Sequence, residues 1–177
     1  MYIGTQDLLK QYDAYLLEHG YQIEELVNLA SDALLNHFTQ YNRFAILIGP
    51  GNNGADGYSL GLNLEKQGKH VIYYYSGDIG KVSQANRYYR DQCEENHLIY
   101  VDEGNINTIN WNDYDCIVDG LFGFGLNSAP RGMYKIIIES IMNNYNGTIG
   151  AIDIPTGLDC NTGKVYDGAL KADFTVT

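Results

Sequence analysis

The stretch Gly49-Pro50-Gly51-Asn52-Asn53-Gly54-Ala55-Asp56-Gly57 directly follows the apolar run Phe44-Ala45-Ile46-Leu47-Ile48 and opens into a helical pattern. Its four glycines permit tight turns and a close approach of ligand to backbone. Two asparagines and an aspartate direct amide and carboxylate groups into the space the glycines leave. A strand, a Gly-rich turn and a helix N-terminus together make a site for an anionic ligand on an α/β sheet. Gly49, Gly51 and Gly54 match G-x-G-x-x-G by letter, and Asp78 falls roughly where a ribose-binding acid stands, about 20 residues on. Pro50 and the Asn pair are unusual in a plain dinucleotide loop. No Lys-Ser or Lys-Thr follows the glycines, which excludes a Walker loop. Gly57-Tyr58-Ser59-Leu60-Gly61 matches the nucleophile-elbow pattern. Ser59, however, lies too far past the strand, and no His follows Asp119 or Asp153 to complete a Ser, Asp, His order.

The 177 residues suit a single domain spanning 1–177, large enough to bury a core without staples. Cys93, Cys116 and Cys160 are widely spaced and form no C-x-x-C pair, which argues against a zinc site or a disulfide framework. The polar N-terminal residues suggest neither signal peptide nor membrane span, and a reduced cytoplasmic setting is the expectation. A net charge of −11 with no basic stripe disfavours nucleic acid. An anionic substrate stays compatible, because backbone amides and a helix end act locally.

Around the opening loop, apolar runs alternate with amphipathic stretches. Thr5 is placed to cap a first helix that ends before Gly20, and a second follows with Leu26, Leu29, Ala30, Ala33, Leu34 and Phe38 on its expected buried face. Strands are predicted over 44–48, 71–75, 98–101, 116–118, 149–152 and 174–176, with helices over 58–66, 82–95 and 133–142. The alternation predicts a three-layer α/β/α Rossmann-like fold with a mostly parallel sheet and two N-terminal helices. Ligands in such sheets bind beyond the carboxyl ends of the strands. Three chemically loaded loops leave strand ends there: 49–57, 119–132 and 153–159. The second reads Asp119-Gly120-Leu121-Phe122-Gly123-Phe124-Gly125-Leu126; the third reads Asp153-Ile154-Pro155-Thr156-Gly157-Leu158-Asp159.

These three segments resemble the YjeF N-terminal-domain family, the NAD(P)HX epimerases. The family pattern has an N-N-G-G-D-G loop, a D-x-L-F-G-x-G loop and a D-I-P-S/T-G-x-D loop, and all three occur here in order. The resemblance runs from the N-terminal helices to Thr177. Ala55 replaces the second glycine of the first loop. The chain also stops at the final strand, where family members usually continue, so it is either short or lacks a C-terminal piece.

The resemblance implies an enzyme of nicotinamide-nucleotide repair that interconverts the R and S forms of hydrated NADH and NADPH (NADHX and NADPHX), with the dinucleotide as substrate. It implies that Asn52, Asn53, Gly54, Ala55 and Asp56 line the substrate pocket, with Gly123, Phe124, Gly125, Leu126, Asn127, Ser128, Ala129 and Asp153. It also implies a potassium ion held by Asn53, Asp119 and Thr156, whose hard oxygen donors suit such a cation. Asp153 is the candidate proton carrier. Turn capping is the alternative role for Asp119 and Asp153, and an ordinary turn hydroxyl for Thr156. A separate dehydratase acting on the S epimer is the implied partner, and the apolar N-terminal helices suit a homodimer. A non-catalytic nucleotide- or RNA-binding module on the same fold is the alternative function; the retained carboxylates and the acidic balance argue against it.

Overall fold

The computed structural model describes residues 6–177. Two helices, α1 (Gln6–Glu18) and α2 (Ile23–Leu35), precede an alternating series. It runs β1 (Arg43–Ile48), α3 (Asn52–Lys66), β2 (His70–Tyr75), α4 (Gln84–Arg90), β3 (Leu98–Tyr100), β4 (Cys116–Gly120), α5 (Met133–Asn144), β5 (Thr148–Ile152) and β6 (Phe174–Val176). All six strands pair in parallel, in the order β3-β2-β1-β4-β5-β6. This is the doubly wound order whose direction reverses between β1 and β4, and a crevice opens at such a switch point.

Strand parity builds the two faces. Phe44, Ile46, Ile48, Val71, Tyr73, Cys116 and Val118 pack with α2, α3 and α4. Ala45, Leu47, Ile72, Tyr74 and Ile117 pack with Ile137, Ile138 and Ile141 of α5 and with Trp111. Both faces are covered, so the central strands read as continuous apolar runs without polar alternation.

Several expected bounds shift. The helix expected over 58–66 begins at Asn52, so the second half of the Gly-rich stretch is the first turns of α3. The helix expected over 82–95 shrinks to Gln84–Arg90, started by Ser83, whose side chain accepts a hydrogen bond from Asn86 N–H. The expected Thr5 cap lies outside the described residues.

The buried face of α2 also differs from expectation. Val27, Ser31, Leu34 and Phe38 are buried, whereas Leu29, Ala30 and Ala33 face outward. The cause is a polar seam between α2 and the helices α3 and α4. Asn63 Nδ2 donates to Ser31 Oγ at 2.9 Å, and Ser59 Oγ and Tyr89 OH reach Asn28 Oδ1 at 3.5 and 3.1 Å. Counting apolar residues misses a seam made of small polar ones. Phe38 then anchors the helical segment, its ring 5.3 Å from Phe174 and 6.4 Å from Phe44. Among the described residues, no helix is long and apolar enough to cross a membrane.

Phe38→Ala is expected to cost about 3–5 kcal/mol in urea unfolding, the usual penalty for emptying an aromatic site. At protein concentrations low enough to keep the chain monomeric, Leu29→Ala should stay within about 0.5 kcal/mol. Equal penalties would mean that the sequence-expected face is the buried one.

Candidate functional site

The three loops meet at the switch point. Gly49 N donates to Gly120 O at 3.1 Å, continuing the β1–β4 pairing one residue beyond the strands. A Cβ at Gly49 would collide with the Leu121 carbonyl, and a side chain there would wedge the first two loops apart. Asn86, buried on α4, donates through Nδ2 to Gly49 O at 2.8 Å and Gly51 O at 3.3 Å. Ser83 N–H adds a bond to Pro50 O at 2.8 Å. The glycine turn is therefore held from outside by α4. Asn86 carries no motif that sequence reading can recognise, since its partners lie 35 and 37 residues away.

The second and third loops are joined through Asp119, the penultimate residue of β4, which is fully buried. Its Oδ2 accepts from Thr156 N–H at 2.7 Å, and its Oδ1 accepts from Thr156 Oγ1 at 2.8 Å and Leu121 N–H at 3.1 Å. The Leu121 bond is the turn-capping role weighed for this residue; the Thr156 bonds reach across to the next strand's loop. Burial pushes the Asp119 carboxyl up to about 6, because desolvation outweighs the donors that favour the charged form. Thr156 Oγ1 also accepts from Phe122 N–H at 3.1 Å.

Asp153 immediately follows β5. Its backbone sits at φ 65°, and Ile154 N–H bonds back to Ile152 O at 2.8 Å, closing a γ-turn. Asp153 is the single non-glycine residue with positive φ among the described residues, a conformation that costs on the order of 1–3 kcal/mol and gathers at functional sites. Its Oδ2 accepts from Phe124 N–H at 2.8 Å, so the third loop orients the second. Gly123 completes the arrangement. A Cβ there would strike Asp153 Oδ2 and come within 3.5 Å of Asn53 Cγ. Asn53, Gly123 and Asp153 therefore border one small space.

Asn53 is buried, yet neither its Oδ1 nor its Nδ2 has a hydrogen-bond partner. A buried primary amide left unpaired costs about 1–3 kcal/mol, so such groups usually answer to a ligand or ion. The structure joins Asp119 directly to Thr156 and sets Asn53 beside Gly123 and Asp153; the side-chain oxygens of all three are hard donors of the kind a monovalent cation takes.

The other sequence-expected residues divide. Asn52 is exposed and Asp56 half-buried on α3; Gly54 is buried against Gly49 O and Asn86. Ala55 is fully buried in the apolar cluster beneath α3, so its methyl is a core contact. Gly125 and Asn127 are exposed, whereas Gly123, Phe124, Leu126, Ser128 and Ala129 are half-buried along the second loop. Two residues that sequence reading passed over hold that loop. The Tyr134 ring packs edge-on to Phe122 at 4.8 Å while its OH donates to Ser76 O at 2.9 Å. Tyr166 OH reaches Asn127 O at 3.0 Å.

The family described as YjeF-related protein N-terminus matches residues 23–177. The chain is 33% identical over 184 residues to an NAD(P)H-hydrate epimerase of Leuconostoc citreum, with 100% of this chain and 79% of that protein covered. It is 32% identical over 162 residues to a bifunctional NAD(P)H-hydrate repair enzyme of Leishmania infantum, which covers 88% of this chain but only 28% of that protein. The crystal structure of yeast ynu0 superposes with a TM-score of 0.83 at 22% identity, over 99% of this chain and 79% of that one.

Proposed function

The chain belongs to the family of the YjeF-related protein N-terminus, and from that membership and the site's geometry we propose that it is an epimerase of hydrated nicotinamide nucleotides. It interconverts the R and S forms of NADHX and NADPHX. The observation that carries the reading is that the Asp153 carboxylate and the unpaired Asn53 amide both border Gly123.

Hydration places a hydroxyl on C6 of the dihydronicotinamide ring, beside the ring nitrogen. That centre is a hemiaminal and inverts by reversible loss of the hydroxyl or by ring opening. In the first route the nitrogen lone pair forms an iminium as the C6–O bond breaks, and a delivered proton turns the leaving hydroxide into water. Water then adds to the opposite face and returns a proton. Nothing is oxidised or reduced, so the dinucleotide is substrate. Asp153 is the proposed proton carrier, its carboxyl oriented by Phe124 N–H and its backbone fixed by the γ-turn. The N-terminal turn of α3 and the second loop, 123–129, are the proposed walls of the pocket, with first-turn N–H groups facing the anionic diphosphate.

Asn53, Asp119 and Thr156 are the proposed holders of a potassium ion. When bound, such an ion offsets the charge of the buried carboxylate and steadies the loops it joins. A separate dehydratase acting on the S epimer is the proposed partner, and a reduced cytoplasm the proposed setting. A homodimer is proposed through the α1–α2 face, where Leu8, Tyr12, Tyr15 and Leu29 stand exposed. Leu29→Glu should convert the dimer to monomer in sedimentation velocity; a parent that already sediments as a monomer would refute the dimer.

Asp153→Asn should lower epimerisation at saturating substrate by at least about a hundredfold, the usual weight of general acid–base catalysis. Asn tolerates positive φ, so the melting temperature should change little. Comparable rates in variant and parent would remove the proton role.

The raised Asp119 value sets a sign for the ion's effect. The folded protein binds this proton more tightly than the unfolded chain, whose value is the ordinary 3.8. The group's contribution is thus fully present below about pH 4 and lost as pH rises through about 6, a loss of roughly 3 kcal/mol. Potassium should restore it only where Asp119 is ionised. Potassium chloride, against choline chloride, is expected to raise the melting temperature at pH 7.5 and to do so far less at pH 5. An equal effect at both pH values, or an undiminished one in Asp119→Ala, would place the ion elsewhere.

A further inference from the structure

We propose that Tyr166 is a positioning residue that sets the substrate loop 123–129, acting from a hairpin beyond the third motif; the inference rests on the epimerase reading of that loop. The loop has little support of its own, its internal backbone bond being Leu126 N–H to Gly123 O at 3.2 Å. It is pinned instead by the connection between β5 and β6. Asp153 takes Phe124 N–H, Cys160 Sγ lies 3.5 Å from Phe124 O, and Tyr166 OH lies 3.0 Å from Asn127 O. All three pins come from one 14-residue segment, 153–166.

That segment is built to hold still at its far end. Leu158 and Val165 form an antiparallel bridge, Asp159 N–H bonds to Lys164 O at 2.9 Å, and Tyr166 N–H bonds to Gly157 O at 2.8 Å. Asp159 closes the turn by accepting from Asn161 and Thr162 N–H groups at 3.0 and 2.9 Å. Its Oδ2 also lies 2.8 Å from Tyr166 OH. The phenol has one proton and faces two acceptors, the Asp159 carboxylate and the Asn127 carbonyl. Charge favours the carboxylate, which lowers the Asp159 value and raises that of Tyr166. The hold on Asn127 is therefore the weaker of the two and the first to yield, so the loop can adjust around a nucleotide while its other end stays fixed to Asp153.

Tyr166→Phe removes one oxygen and keeps the ring with its Lys164 contact. The variant should raise KM for the hydrated nucleotide about five- to tenfold, the weight of one hydrogen bond, while kcat stays within about twofold. Hydrogen exchange without substrate should show faster exchange of the 124–127 amides, with β1 and β4 amides unchanged. That second readout does not need the epimerase reading: a parent with no epimerase activity whose loop still loosens on Tyr166→Phe would refute that reading and leave the positioning role standing. Unchanged KM together with unchanged 124–127 exchange would overturn the proposal. So would faster exchange throughout the sheet, which would make Tyr166 a general stability residue.

Discussion

The site hangs on one buried carboxylate. Asp119 stands at the end of a central strand, where ionisation is costly, and it survives there by collecting three hydrogen bonds, two of them from Thr156 on the next strand's loop. Those bonds fasten β4 to the segment that carries Asp153. They do not fully offset desolvation, so the carboxyl keeps a raised proton affinity. A residue tuned this way responds to any positive charge brought near it, which connects the packing of the crevice to the chemistry proposed for it.

The sheet order makes that fastening useful. With β1, β4 and β5 adjacent and parallel, their three carboxyl ends open side by side. Gly49 and Gly123 then let backbone and side chains from different loops approach more closely than any Cβ would permit. The result is a small space with Asp153 on one wall and the unpaired Asn53 amide on another. Around it, α4 braces the first loop through Asn86, and Tyr134 and Tyr166 brace the second at Phe122 and Asn127.

Much of this arrangement is legible in the sequence. Strand positions follow from unbroken apolar runs, because a parallel sheet covered on both faces leaves no alternation to hide them. The convergence of the loops at 49–57, 119–132 and 153–159 follows from strand–helix alternation alone. What stays hidden is whatever depends on partners distant in sequence. Asn86, Tyr134 and Tyr166 look like ordinary polar and aromatic residues until the fold brings them to a carbonyl 35 or more residues away. The α2 face is misread for a related reason: Ser31 is buried against Asn63 of α3, and hydrophobic periodicity has no term for such a pairing. Ala55 shows the reverse case, a motif position whose side chain belongs to the core.

The central claim is that this crevice inverts C6 of a hydrated nicotinamide ring. The most direct measurement incubates purified protein with the R epimer of NADHX or NADPHX and an S-specific dehydratase, and follows the return of NADH or NADPH. Recovery should be much faster than spontaneous epimerisation and proportional to protein added. Recovery at the spontaneous rate, from folded protein supplied with potassium, would contradict it and favour a non-catalytic binding role.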